Sequence, residues 1–160
     1  MNIRRKLSKI VSGGQTGVDR AALDVALKYK IPCGGWCPKG RIAEDGIIPE
    51  RYPLKETESL DYTVRTELNV RDFDGTLVLN RGELSGGTAF TVEFAKKHRK
   101  HCLIVDLKKK RKNAIYDVVK WIEANDIKVL NVAGPRESKS PGIYKVAKKF
   151  LEELMEELSP

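Results

Sequence analysis

The sequence predicts a single α/β domain over residues 1–160, a doubly wound parallel sheet of about five strands with helices on both faces. Three observations predict it. Five short apolar runs of β type alternate with stretches of helical period, and strands separated by helices pair in parallel through right-handed crossovers. Glycine-rich turns follow three of those runs, as where strands hand over to helices. The composition, 41% hydrophobic and 32% charged in 160 residues, suits a folded soluble chain with its own core and excludes a disordered one. The expected strand order is 2-1-3-4-5, with the ligand crevice between the first and third strands.

Leu7 to Val11 reads as the first strand and Val18 to Tyr29 as the first helix. Ala22, Val25, Ala26 and Tyr29 recur at helical spacing, with Leu23 and Leu27 as a second apolar edge. Ile31 to Cys37 holds a short second strand that ends at Pro38-Lys39-Gly40. Periodicity then vanishes from Arg41 to Thr57, which reads as a long loop of the kind that is functional or mobile. Ser59 to Asn69 is a helix carried by Leu60, Val64 and Leu68, and Thr76 to Leu79 is the third strand. A helix runs from Ser85 to about His98, Cys102 to Val105 is the fourth strand, and Ala114 to Ala124 is a helix. Lys128 to Val132 is the fifth strand. Ser140 as N-cap and Pro141 at the first helical position start the last helix, whose apolar stripe runs from Ile143 to Leu158.

The turns carry the chemistry. The first strand leads into Gly13-Gly14-Gln15-Thr16-Gly17, the third into Asn80-Arg81-Gly82 and Ser85-Gly86-Gly87-Thr88, the fifth into Ala133-Gly134-Pro135-Arg136. Glycine lets backbone N–H groups approach an anion, and each loop feeds a helix N-terminus with unpaired donors. Gly14 and Gly87 are expected where a side chain would block a phosphate. Asp19 also fits a capping box with Thr16. A P-loop needs lysine after the glycines, whereas Gly17 precedes Val18. A NAD site needs a carboxylate after the second strand, where Lys39 and Arg41 stand instead and suit a ligand with further anionic groups. Neither an ATPase nor a standard dehydrogenase is expected.

Net charge is +8, with 30 Lys and Arg against 22 Asp and Glu. The excess sits in 96–112, nine basic residues and Asp106. A strand of about 16 Å splits that run in two, which argues against one nucleic-acid stripe. Lys108 to Lys112 falls on the ligand edge. Three cysteines cannot make a disulfide framework, and Met1 to Ile10 has no apolar stretch for a signal peptide or membrane span, so a reduced cytoplasmic protein is expected. Cys33 and Cys37 have poor zinc spacing, and no metal site is expected. Arg65, Glu67, Asn69 and Arg71 form a polar cluster, Arg65 and Asn69 on one helix face. Glu93 and Glu67 are the candidate acids if a reaction occurs. Apolar surface left over on the first and last helices predicts a homo-oligomer.

Four blocks resemble the molybdenum-cofactor carrier protein family. They are Ser12 to Arg20 with Gly13, Gly14, Gln15, Thr16, Gly17, Asp19 and Arg20; Gly34 to Gly40 with Lys39; Arg65 to Asp72; and Asn131 to Ser138 with Gly134 and Arg136. The resemblance spans nearly the whole chain. Ser85-Gly86-Gly87-Thr88 with Glu93 resembles the helix start of the wider Rossmann-like superfamily, which includes lysine-decarboxylase-like proteins, cytokinin phosphoribohydrolases and DNA-processing protein A. The phosphoribohydrolase form Pro-Gly-Gly-x-Gly-Thr is one glycine short here. The resemblance implies a Rossmann-like fold and a homo-oligomeric carrier of the molybdenum cofactor, a pterin with a terminal phosphate. A nucleotide ligand, with glycosidic-bond hydrolysis of a nucleoside monophosphate, is the alternative. Single-strand DNA binding is the third reading.

Overall fold

The computed structural model describes residues 7–109 and 113–159. Along the chain stand β1 (Lys9–Val11), α1 (Val18–Lys28), β2 (Cys33–Gly34), β3 (Trp36–Cys37), β4 (Ile42–Ala43), β5 (Gly46–Ile47), β6 (Lys55–Glu56), α2 (Tyr62–Arg71), β7 (Gly75–Asn80), α3 (Gly86–Lys97), β8 (His101–Asp106), α4 (Ala114–Ala124), β9 (Val129–Ala133) and α5 (Ile143–Leu158). Five of the strands make one parallel sheet in the order β2-β1-β9-β7-β8.

That sheet corrects the expected order 2-1-3-4-5. The fifth strand of the sheet, β9, is inserted between the first and the third. Ile10 lies opposite Leu130, and Leu130 opposite Gly75. Burial explains the choice. The middle of β9 is fully buried, whereas β8 is half-exposed along its length and takes the edge. Read cyclically from β9, the order becomes 3-2-1-4-5, that of the dinucleotide-binding fold. The helices leaving β1 and β9 pack together, and the helix leaving β7 packs against α2 instead. The switch point therefore falls between β9 and β7, not between the first and third strands directly.

The two faces of the sheet differ in polarity. Ile10, Leu77, Leu79, Leu130 and Val132 pack under α1, α4 and α5 with Val25, Val118, Ile122, Ala147 and Leu151. Strand alternation turns Thr76, Asn80 and Asn131 away from that core, and all three are nonetheless buried. A polar layer between the sheet and α2/α3 results, and the crevice opens in it.

Residues 41–57 are structured. β4 and β5 form a hairpin, and β6 pairs with β3 in parallel. Leu23 on α1, fully buried, anchors this lobe with Cys37, Ile48 and Tyr52 in a second small core. The α1 edge assigned to a subunit interface is thus partly consumed within the chain, and most of the α5 stripe is consumed too, with Ile143, Ala147, Leu151, Leu154, Met155 and Leu158 buried and Val146 left exposed. Arg41 is the staple of the lobe. Its guanidinium donates to the carbonyls of Ile48, Pro49, Tyr52 and Leu54 at 2.8–3.3 Å, so it is not a ligand cation.

The last helix starts at Ile143 rather than Pro141, with left-handed Gly142 as N-cap. Glu137 does the capping, accepting from Gly142 N at 2.6 Å and Tyr144 N at 3.0 Å. Ser140 is engaged elsewhere, by Arg81. Among the described residues no helix is long and apolar enough to cross a membrane, and no group of three metal-ligating His, Cys, Asp or Glu side chains gathers.

Candidate anion-binding site

A crevice of about 390 Å³ opens at the carboxyl ends of β1, β9 and β7. Its floor is the polar layer, with Asn80, Asn131, Thr88 and Thr91, and α2 closes it with Tyr62, Arg65 and Asn69. Four cations (Arg65, Arg81, Arg136 and Lys139) line it against two acids, Asp19 and Glu83.

At the start of α3, Ser85 is the N-cap and makes no side-chain capping bond. The first intrahelical donor there is Ala89 N, to Ser85 O at 3.3 Å. The N–H groups of Gly86, Gly87 and Thr88 have no protein acceptor among the described residues. All three residues line the crevice. They carry the partial positive charge of a 12-residue helix. A Cβ on Gly86 or Gly87 would meet nothing within 4 Å, so the space above this turn is open.

Arg65 is buried at 7% exposure. Its Nη1 donates to Gly13 O at 2.6 Å and its guanidinium lies over the Tyr62 ring. Gly13 is tight for that reason: a Cβ there would stand 2.5 Å from Arg65 Nη1. Arg81 donates to Ser140 Oγ and Pro141 O, both neutral acceptors, and forms no ion pair among the described residues. Arg136 pairs with Glu44 at 3.3 Å. Glu44 also accepts from Ser138, and these hydrogen bonds hold its carboxyl below the ordinary range against the opposing effect of burial.

Asp19 is the buried acid, 8% exposed and lining the crevice. Burial lifts its carboxyl from 3.8 to about 6, against the opposing pull of Arg65, the Gln15 N–H and Arg20. The capping box with Thr16 is not formed. The N-cap is Gly17, and Asp19 accepts instead from Gln15 N at 3.3 Å. Thr16 turns outward, its hydroxyl donating to Glu44 and accepting from Glu137 N.

A model of the circularly permutated YpsA SLOG family matches residues 10–155. The chain belongs to that family. In this chain, moving β9 to the front turns the sheet order into 3-2-1-4-5. This SLOG chain is also similar, at 49% identity, to the crystal structure of "Putative molybdenum carrier protein" from Syntrophus aciditrophicus SB at 1.45 Å resolution, with a TM-score of 0.92 over 94% of this chain and 96% of that one. No curated protein matches the sequence.

Of the residues singled out in the sequence, Gly13, Gln15, Asp19, Arg65, Asn80, Arg81, Gly86, Gly87, Thr88, Gly134 and Arg136 line this SLOG crevice. Gly14, Thr16, Gly17, Arg20 and Lys39 do not. Gly14 faces the 48–54 loop, where a Cβ would stand 2.4 Å from Leu54 Cδ1. Gly17 permits contact with another loop: its φ is +78° and a Cβ would stand 2.3 Å from Pro135 O. Arg20 is taken by Gly14 O and Asp45, and Lys39 is exposed. Glu93 is exposed and outside the lining. Glu67 sits on the α2/α3 seam with Lys97 at 2.8 Å and His98 at 2.6 Å, which hold its carboxyl low. Asn69 lines the crevice while clamping Trp36 N and O at 2.8 and 2.9 Å. Lys108 and Lys109 stand apart from the lining, and residues 110–112 of the basic run lie outside the described residues.

Sequence reasoning missed Asn131, Glu83 and Lys139. Asn131 had a signal, a lone amide inside the apolar run Val129–Ala133. Buried polar residues on a strand mark a face that packs on something other than core.

Proposed function

We propose that this protein binds an anionic, phosphate-bearing small molecule in the crevice, as a carrier, with the molybdenum cofactor as its cargo. One observation carries the reading: the uncapped N-terminus of α3, with the Gly86, Gly87 and Thr88 N–H groups facing an open crevice in which Arg65 is buried. A phosphate supplies the acceptors these donors lack. The molybdenum carrier name borne by the 49% identical structure favours the cargo. A terminal phosphate fits the donor set, and the Tyr62 and Phe90 rings on the lining offer flat faces to a pterin.

A nucleotide is the other cargo of the same chemistry. Hydrolysis of its glycosidic bond through Glu93 or Glu67 is disfavoured by their positions, and single-strand DNA binding by the division of the basic run across β8. The proposed carrier is cytoplasmic and homo-oligomeric. Leu27 on α1, Val146 on α5 and Leu60, 41%, 38% and 64% exposed, supply apolar surface for subunit contact.

The test is mass spectrometry of small molecules released from the purified protein, wild type beside Gly87→Val. The valine enters open space on a solvent-facing helix turn, so stability changes by less than about 1 kcal/mol. We expect a phosphate-bearing molecule from the wild type and loss of at least nine-tenths of it in the variant. Equal recovery from a folded Gly87→Val protein refutes the crevice as the binding site.

A further inference from the structure

We infer that Asp19 is the specificity-determining residue of the crevice: its carboxylate accepts from two adjacent N–H donors on the ring of a phosphate-bearing heterocycle, the edge of a 2-amino-4-oxopyrimidine. The inference rests on the anion-binding reading of the same crevice and names the chemistry of the ligand's other end.

A carboxylate in an anion site repels the anion, so its place there requires another partner. Asp19 is more than nine-tenths buried and lines the crevice. When ionised it is purely an acceptor, with about four lone-pair sites, and when protonated one oxygen becomes a donor. Among the described residues its side chain takes the long hydrogen bond from Gln15 N at 3.3 Å and a weaker one from the Gly13 N–H. The two nearby guanidinium groups are committed elsewhere, Arg65 Nη1 to Gly13 O and Arg20 to Gly14 O and Asp45. The remaining lone-pair sites are left for a ligand.

A second acceptor stands at the next loop. Asn80, 3% exposed, donates its amide N–H groups to Gly82 O and Glu83 O at 3.0 and 3.3 Å. Two carbonyl partners fix the orientation of the amide and leave Oδ1 as an acceptor. The crevice therefore offers donors at the start of α3 and acceptors elsewhere, and a ligand filling it presents acceptors at one end and donors beyond. Asp19 follows β1 and Gly87 follows β7, two strand spacings away, or roughly 10 Å. That separation is the reach of a nucleotide-sized molecule. The planar fork of a carboxylate matches paired N–H groups of a flat ring, and Tyr62 and Phe90 give such a ring its walls.

Guanosine monophosphate presents that edge, and adenosine monophosphate presents an acceptor beside a donor. Calorimetry on the full chain, with inorganic phosphate, guanosine monophosphate and adenosine monophosphate at pH 7.5, separates the possibilities. The wild type is expected to bind all three, the guanosine compound at least tenfold tighter than the adenosine compound, as a paired bond to a charged acceptor warrants. In Asp19→Asn the two nucleotides come within about threefold, while phosphate binding holds or tightens. A second measurement uses the wild type alone. The ratio of the two affinities falls towards one between pH 7.5 and 5, as the carboxyl near 6 takes up its proton. Arg65 and Arg20, the charged groups that act on it, stay cationic throughout, and the phosphate titration common to both nucleotides cancels.

Equal affinities in the wild type, or a ratio untouched by Asp19→Asn and by pH, overturn the inference and leave the anion site standing. Equal affinities that fall together in Asp19→Asn assign Asp19 to the sugar hydroxyls, which also overturns it. Absence of any phosphate or nucleotide binding overturns the anion site itself.

Discussion

Asp19→Asn is expected to stabilise the fold, and the amount depends on pH in a calculable way. Burial raises the Asp19 carboxyl from 3.8 to about 6. An acid whose folded value is raised contributes stability fully below its unfolded value and loses it as pH climbs through the folded one. At pH 7.5 the carboxylate is ionised in both states, and the folded state carries about 3 kcal/mol of desolvation that the unfolded chain escapes. At pH 4.5 most molecules hold the proton when folded, and the same linkage leaves about 1 kcal/mol. Asparagine removes the ionisation and keeps an acceptor for the Gln15 N–H. Urea unfolding of both proteins, refolded from urea to free them of small molecules, measures the difference at the two pH values. We expect a gain of about 3 kcal/mol at pH 7.5, shrinking to about 1 at pH 4.5 with unchanged m-values. No gain at pH 7.5, or an equal gain at both, refutes the argument that a desolvated carboxylate faces this crevice. A residue that destabilises the fold at neutral pH and lines a pocket is one retained for its site.

Gly134→Ala puts a Cβ 2.2 Å from Leu79 O, and a backbone shift between β7 and β9 is expected to lower stability by about 2–3 kcal/mol in urea titration. Leu23→Ala, at a fully buried position of the second core, is expected to cost about 2–4 kcal/mol, and Leu23→Glu to unfold the 41–57 lobe, seen as amide hydrogen exchange there, rather than to separate subunits. Glu137→Ala strips α5 of its two capping bonds and is expected to lower stability by about 1 kcal/mol in a thermal melt. Light scattering at micromolar concentration is expected to give a multiple of 18.0 kDa, and a mass of 18.0 kDa removes the homo-oligomer.

Local patterns in the sequence were enough for the five helices and for the five strands of the main sheet, though not for the short strands of the 41–57 lobe. Ala114–Ala124 is the helix its apolar spacing predicts, and Gly75–Asn80 extends the expected third strand by a residue at each end. The glycine turn before α3 was readable because an uncapped helix start is a local property of a few residues. Arg65 and Asn69 were paired correctly by spacing alone, since both lie on the buried side of α2.

Pairing and destination were decided only by tertiary structure. Local composition does not say which strands are neighbours, so nothing local said that β9 lies between β1 and β7 and β8 takes the edge. That order depends on which strand both neighbours can bury, a comparison across 120 residues of chain. The same holds for cations and acids. Arg41 reads in sequence like Lys39, yet four carbonyls of a loop folded over it make it structural. Glu67 and Asp19 are both carboxylates near the expected site, and one is paired with Lys97 and hydrogen-bonded to His98 on a seam while the other is buried without an ion pair among the described residues. A charged side chain acts according to the partners and the water left around it, and those are set by elements far away in the sequence.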